Sequence, residues 1–495
     1  MLSAAVAVPL AGAAVLALAR GWTERAARLF AIVATGVPAV LLVAAWLRFD
    51  LGSGQPFQLV EEAPWIPTLG VAWRVGVDGI SLPVATMAAL LFVAAVAYPE
   101  DYRGRPRQYF GWFLFLDAAS LGLFLTLDLL VFYVFFDLSL VGMYFLIGRW
   151  GHADAQRAAL KFFLYTFAGS LVMLLAILAL YLATDPLTFD MAEIIAQQPL
   201  AGQATRAGLT LLGFAVGLGI KTPLFPVHTW LPPAHVEAPA PASAILAGVL
   251  LKMGTYGLVR IPLSMMRDTF SRYALLLGLF AVASIVYGAL VAFGQNHLKR
   301  RIAYTSVNHM GYAVLGIAAA GALPSGQEAA RQLALTGATV EMVAHGLVTG
   351  SLFLITGSFW RRAGEYDMDV YGGLASRASA LTGATVLAAF ASLGIPGLAH
   401  FVAEFQIFVG TFAVYPWLAG IGLLGVLVTA ALFLQLLQKV FFGDLPERWA
   451  EFRDLVPSEA ATLGLLLALV VVVGVFPRWL LDTIQTGSAL LVATP

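Results

Sequence analysis

Long apolar runs alternate with short charged connections along the whole chain. A helix needs roughly 20 apolar residues to cross about 30 Å of hydrocarbon. About 14 runs approach that length. They begin near Leu2, Leu29, Val77, Tyr109, Leu129, Ala158, Ala207, Ala242, Tyr273, Ile302, Leu333, Ser379, Trp417 and Ala460. No long polar domain interrupts them, and the longest connections are 49–76 and 184–206. The pattern predicts an all-α polytopic membrane protein. The first run has no basic residues before it, so it reads as a retained transmembrane helix rather than a cleaved signal peptide.

One stretch departs from the pattern. GIKTPLFPVHTWLPPAHVEAPAPASAILAGVLLKMGTYGLVR, residues 219–260, is apolar yet carries Lys221, Lys252 and prolines at 223, 226, 232, 233, 239 and 241. Proline removes a backbone donor and clashes with the preceding turn, so the helix entering at Gly219 breaks there. Within a bilayer such a break survives only where the freed carbonyls face protein or water. A lysine beside a break therefore points to a hydrated site. A weaker echo, Leu393-Gly394-Ile395-Pro396-Gly397, falls five spans later. An odd separation gives the two breaks opposite orientation, the arrangement of inverted repeats.

Basic residues set the orientation. Alternate connections, counted from the one after the first span, hold 18 of the 28 Lys and Arg, while the opposite side, Arg260 included, holds 8. This bias places the first set in the cytoplasm and both termini outside. The two left over are Lys221 and Lys252, lysines in a chain with 23 Arg and 5 Lys. A desolvated lysine can lose its proton, whereas arginine keeps it.

Other polar groups also fall within spans. Asp137, in VFYVFFDLSLVGM, is either a neutral carboxyl bonded to a neighbouring helix or a charge partner for a lysine. Glu404 follows the second break too deep in its helix for a cap, with His400 one turn earlier on the same face. His309 and His345 read as helix–helix hydrogen bonds or as proton shuttles. Glu341 precedes His345 by one turn and is placed to pair with it. His228 either lines the break or caps it, and Asp117 has no assigned partner.

Composition narrows the function further. The chain is 60% hydrophobic and 11% charged, against about 25% charged in soluble domains. The absence of cysteine excludes disulfides, cysteine-ligated clusters and thiol catalysis. No basic patch suits nucleic acid. No dinucleotide fingerprint, P-loop or HExxH is present, and the histidines lack metal-ligand spacing along the chain, so neither a metal nor a cofactor is expected.

The proline-broken stretch, together with FYVFFDLSLVGMYFLIGRWG, LKRRIAYTSVNHMGYAVLGI and SLGIPGLAHFVAEFQIF, resembles the M-type antiporter-like subunits of respiratory complex I. That group includes mitochondrial subunit 4 and the chloroplast D-type subunit. The resemblance runs from about Gly76 to Phe442. PAHVEAP favours the M type over the N type, and a chain ending soon after the last span disfavours the L type.

The resemblance implies fourteen helices, two inverted five-helix repeats, and breaks in helices seven and twelve. On this sequence that means three N-terminal helices in 1–108 and helices four to eight in 109–265. Helices nine to thirteen fall in 266–445 and the fourteenth in 446–495. It implies proton-transfer roles for Lys221, Lys252, His309, His345 and Glu404. Asp137 stands where the family carries glutamate and Pro233 where it usually has aspartate.

The implied activity is proton translocation in an NADH:quinone oxidoreductase of a bacterial-type inner membrane. L-type and N-type subunits would be the neighbours, and NADH, FMN, iron–sulfur clusters and quinone would be held in partner subunits. Asp137 and Lys221 are expected to form a switchable ion pair. The alternatives are a subunit of a multisubunit Na⁺/H⁺ antiporter, of an F420H2, ferredoxin or hydrogenase complex, or a scaffold that has lost pumping.

Overall fold

A computed structural model describes residues 1–18, 20–322 and 326–493. The helices are α1 (Leu2–Leu18), α2 (Glu24–Arg48), α3 (Ser81–Ala97), α4 (Pro106–Leu125), α5 (Leu129–Trp150), α6 (Ala155–Tyr181) and the short α7 (Met191–Gln197). Then come α8 (Ala204–Lys221), the short α9 (Leu231–Glu237), and α10 (Ala240–Ile245) joined to α11 (Leu251–Leu258) by a π turn over Leu246–Leu250. The second half holds α12 (Arg267–Phe293), α13 (Leu298–Gly321), α14 (Glu328–Ala363), α15 (Ser379–Ser392), α16 (Ala399–Val414) and α17 (Pro416–Phe441). Two more, α18 (Pro457–Val475) and α19 (Arg478–Ala493), close the described chain. Every predicted run start lies inside one of these helices or within about a turn of its first residue.

Both predicted breaks are present. The first separates α8 from α9, and the second separates α15 from α16. Each frees carbonyls that need internal partners. At the first, the Trp230 indole donates to the Ile220 carbonyl at 3.0 Å, and the Phe225 amide donates to Ser284 Oγ at 2.9 Å. At the second, His400 Nδ1 lies 3.0 Å from the Ala391 carbonyl. Gly394 turns the chain there at φ +68°, a left-handed conformation that glycine adopts without strain.

Among the described residues, nine helices are long and apolar enough to span a membrane by length and composition. Outer helices such as α2, α6 and α17 bury only 39% of their most apolar window, whereas the Ala240–Leu263 unit and α14 bury all of it. These two, with α13, form the core. The α13 helix falls outside the nine because it carries Thr305, Ser306, Asn308 and His309, all buried against protein rather than lipid. The core is therefore where polar groups are sheltered from hydrocarbon.

Small residues let its backbones approach. A Cβ on Gly254 of α11 would stand 2.7 Å from the Leu218 carbonyl of α8, just before the first break. A Cβ on Gly248 would stand 3.1 Å from the Gly346 carbonyl, and one on Gly346 3.0 Å from the Gly248 carbonyl. The π turn and α14 thus cross backbone to backbone.

Three features depart from the sequence reading. The 49–76 connection folds into an antiparallel hairpin, Gln58–Ile66 with Val71–Val77, turning through Gly70. Pro477 ends α18, and α19 then packs back on α3 and α14, where a single last span was expected. Arg260, counted as an outer connection residue, lies in a second π turn, Val259–Leu263. There its guanidinium is buried, with Nη2 2.6 Å from Asp78 Oδ2 and Nε 3.0 Å from the Tyr256 hydroxyl. A charge so deep persists because its partners are complete.

The Gly254 contact is a direct test of this packing. Gly254→Ala forces the π-turned helix away from the first break and should destabilise the assembled subunit by about 1–3 kcal/mol. The thermal midpoint of the purified complex reports it, and an unchanged midpoint would contradict the close crossing.

Candidate functional site

The site is built from the ends of broken helices and from the polar faces of the core. Lys221 is the last residue of α8, so the break itself places its amine in the interior, where it is 1% exposed. Its Nζ donates to Ser139 Oγ on α5 at 3.0 Å and lies 4.8 Å from the centre of the Phe136 ring. No ion pair joins it to Asp137 among the described residues. Asp137 lies one residue beyond Phe136, within electrostatic reach of Lys221 and beside Tyr133 and Ser170. In place of the expected ion pair there is a serine contact, with the carboxylate acting on the amine from a distance. The α5 helix turns Phe136 and Ser139 toward α8, while Asp137, about 100° round, is left half-buried on its flank.

Lys252 opens the second cluster. It is fully buried on α11, and its Nζ donates to the Ala247 carbonyl in the π turn at 2.6 Å and lies 2.5 Å from His345 Nδ1. The backbone crossing of Gly248 on Gly346, one residue from His345, brings these two side chains together.

Beyond His345 the rings continue. Its centroid is 5.5 Å from that of His309 on α13, and the His309 ring stacks on His400 of α16 at 4.5 Å. Glu341 Oε1 lies 3.4 Å from His309 Nδ1 and 3.6 Å from His400 Nε2. Glu404 Oε1 lies 3.9 Å from His309 Nδ1. The Glu404 carboxylate also folds over the second break, since a Cβ on Gly394 would stand 2.5 Å from its Oε2.

The cluster corrects two expectations. Glu341 does not pair with His345, its helical neighbour; it faces His309 and His400 across the bundle, while Lys252 takes His345. The histidines, far apart in sequence, do converge. His309, Glu341 and His400 bring ligand atoms within 4.8 Å of one another, a donor set able to hold a metal ion.

Two residues stand apart from this cluster. Asp117 is fully buried on α4, with neither carboxylate oxygen hydrogen-bonded. His228, in the first break, lines a separate polar cavity of about 560 Å³ with Arg157, Lys161, Arg300, Tyr287 and Tyr304, and Pro233 lines it too. The sequence reading missed Ser139, since an unremarkable serine on an apolar helix carries no signal until α8 is laid beside it.

Broken helices in an apolar bundle, with one buried amine at the first break and a second in contact with a histidine–carboxylate cluster, define a membrane protein of the antiporter-like class. The chain belongs to the NADH:quinone oxidoreductase/Mrp antiporter transmembrane family, whose sequence profile matches residues 126–432. It is 37% identical to NAD(P)H-quinone oxidoreductase chain 4 of Picosynechococcus sp., covering all of this chain and 93% of that one. It is also 37% identical to NADH-quinone oxidoreductase subunit M of Rhodobacter capsulatus, covering 99% and 96% of the two. A chain of respiratory complex I from Thermus thermophilus superposes with a TM-score of 0.88 at 31% identity, over 99% of this chain and all of that one.

Removing the donor at the first break tests how that break is held. Trp230→Phe leaves the Ile220 carbonyl unsatisfied next to Lys221, a loss of about 1–3 kcal/mol. Denaturation of the purified complex should show it, and stability equal to the parent's would mean the carbonyl finds another donor.

Proposed function

We propose that this chain is a proton-translocating membrane subunit of a respiratory NADH:quinone oxidoreductase, equivalent to the M-type subunit. The observation that carries the reading is the run from Lys252 through His345, His309 and Glu341 to His400 and Glu404, every side chain of it buried within the bundle. Such groups are expensive to bury and are retained at ion pathways.

The residues divide the task. Lys221, steadied by Ser139, holds a proton while Asp137 is charged nearby. Drawing Asp137 away or neutralising it weakens that hold and releases the proton toward Lys252. Lys252 donates to His345 directly, and the stacked imidazoles carry the connection to Glu404 beside the second break. Water completes the gaps between groups farther apart than a hydrogen bond. His228 serves the entrance, in a cavity lined by Arg157, Lys161 and Arg300 and by Asp154 and Glu237.

The driving reaction belongs to other subunits. NADH oxidation, FMN, iron–sulfur clusters and quinone reduction are assigned to those partners, with L-type and N-type antiporter-like subunits as the neighbours in the membrane arm. Two inverted five-helix units, 109–265 and 266–445, carry one break each. The bias of basic residues supports a bacterial plasma membrane with both termini outside.

Lys221→Ala should leave assembly intact and abolish proton pumping coupled to quinone reduction, read as quenching of a pH dye in vesicles. Lys252→Ala should lower pumping at least about tenfold, the effect of losing a relay group. Full pumping in both variants would contradict the axis. Sodium-dependent proton flux by the subunit without NADH would instead favour a cation antiporter.

A further inference from the structure

The His309–Glu341–His400 cluster has a property that proton transfer does not require. Its separations are longer than those of hydrogen bonds. Glu341 Oε1 stands 3.4 Å from His309 Nδ1 and 3.6 Å from His400 Nε2, where a good hydrogen bond would be about 2.9 Å. Two ligands bound at about 2.0–2.1 Å to a tetrahedral metal sit about 3.3 Å apart. The two carboxylate–imidazole separations match the second spacing, and all three ligand atoms lie within 4.8 Å of one another; the stacked His309 and His400 rings turn about their side-chain bonds to bring both lone pairs onto one ion.

The atoms are also free to ligate. His309 Nδ1, His400 Nε2 and both Glu341 oxygens are buried without a hydrogen-bond partner. The tautomer of His400 is set by the second break. A carbonyl only accepts, so Nδ1–H donates to Ala391 and Nε2 keeps its lone pair toward Glu341. This is the supporting contact that metal-binding histidines commonly make. Glu404, 3.9 Å from His309, offers a fourth oxygen, and it retains 7% exposure where the other three are fully buried.

We propose that His309, Glu341 and His400, with Glu404 as a fourth donor, form a binding centre for a borderline divalent transition cation of the Zn²⁺ type. Two imidazoles and a carboxylate select such an ion over Na⁺, Mg²⁺ or Ca²⁺, which prefer oxygen. Bound metal takes the lone pairs of both imidazoles. If these rings also carry protons, as proposed above, occupancy closes the second half of the route. The centre is then an inhibitory one, and only this consequence rests on the functional reading.

The test is metal content of the intact complex, washed with chelator and loaded with Zn²⁺, beside complexes carrying Glu341→Gln and His400→Gln. Surface sites contribute equally to all three. The parent is expected to retain about one equivalent more than either variant. X-ray absorption on that difference should show nitrogen and oxygen ligands at about 2.0–2.1 Å. Equal zinc in the parent and an assembled variant overturns the centre; if His400→Gln fails to assemble, Glu341→Gln decides alone. A complex that pumps normally but retains no extra zinc refutes the metal centre and leaves the functional reading standing. One that retains the extra zinc when loaded, yet does not pump even after the chelator has stripped it of metal, does the reverse.

Discussion

Two lysine amines buried inside a bundle of apolar helices constrain everything around them. A charge at the centre of a spanning helix costs about 2.5–3.5 kcal/mol on insertion scales, so it is kept only where protein or water replaces the lost hydration. The core helices answer that demand. The Ala240–Leu263 unit and α14 are covered along their whole apolar windows, and α13 is covered so completely that it need not be apolar. Lipid meets the outer helices instead, α2, α6 and α17 among them. The division between a polar core and an apolar shell follows from the amines rather than from hydropathy alone.

The broken helices are the second expression of the same constraint. Each break exposes carbonyls, and each is closed by a ring a few residues further along. Trp230 closes on Ile220, and His400 closes on Ala391. The chemistry is thereby tied to the backbone. Lys221 sits at the end of α8 because the helix stops there, and His400 is both the clasp of the second break and a member of the cluster. A change in either break would move a titratable group, which gives the fold a way to couple shape to protonation. Asp137 adds an adjustable element. One methylene shorter than the glutamate typical of the family, it lies on the flank of α5 beside Tyr133 and Ser170 instead of touching the amine, so its influence on Lys221 is electrostatic.

Much of this was legible in the sequence. Apolar runs of spanning length marked the helices, since periodicity and length need no knowledge of neighbours. Proline and glycine marked both breaks, because they act on the local backbone. Lys221, Lys252, His309, His345 and Glu404 stood out as polar groups in apolar surroundings. What escaped was set by packing between distant segments. Glu341 meets His400 across 59 residues of chain and Lys221 meets Ser139 across 82, and no local pattern encodes either meeting. Arg260 was sorted with the connections because a buried pair with Asp78 looks, in sequence, like a charge at a span's end. The 58–77 hairpin was hidden because a short two-stranded ribbon in a polar connection leaves little periodicity to read.

The central claim is that water joins the two lysines within the membrane-depth core and runs on to the histidine–carboxylate cluster. A density map of the intact complex, sharp enough to place ordered water, tests it most directly. The account predicts a chain of waters linking Lys221 Nζ to Lys252 Nζ and bridging His309 to Glu404. Dry apolar packing between the two amines, with no ordered solvent in the core, would contradict it.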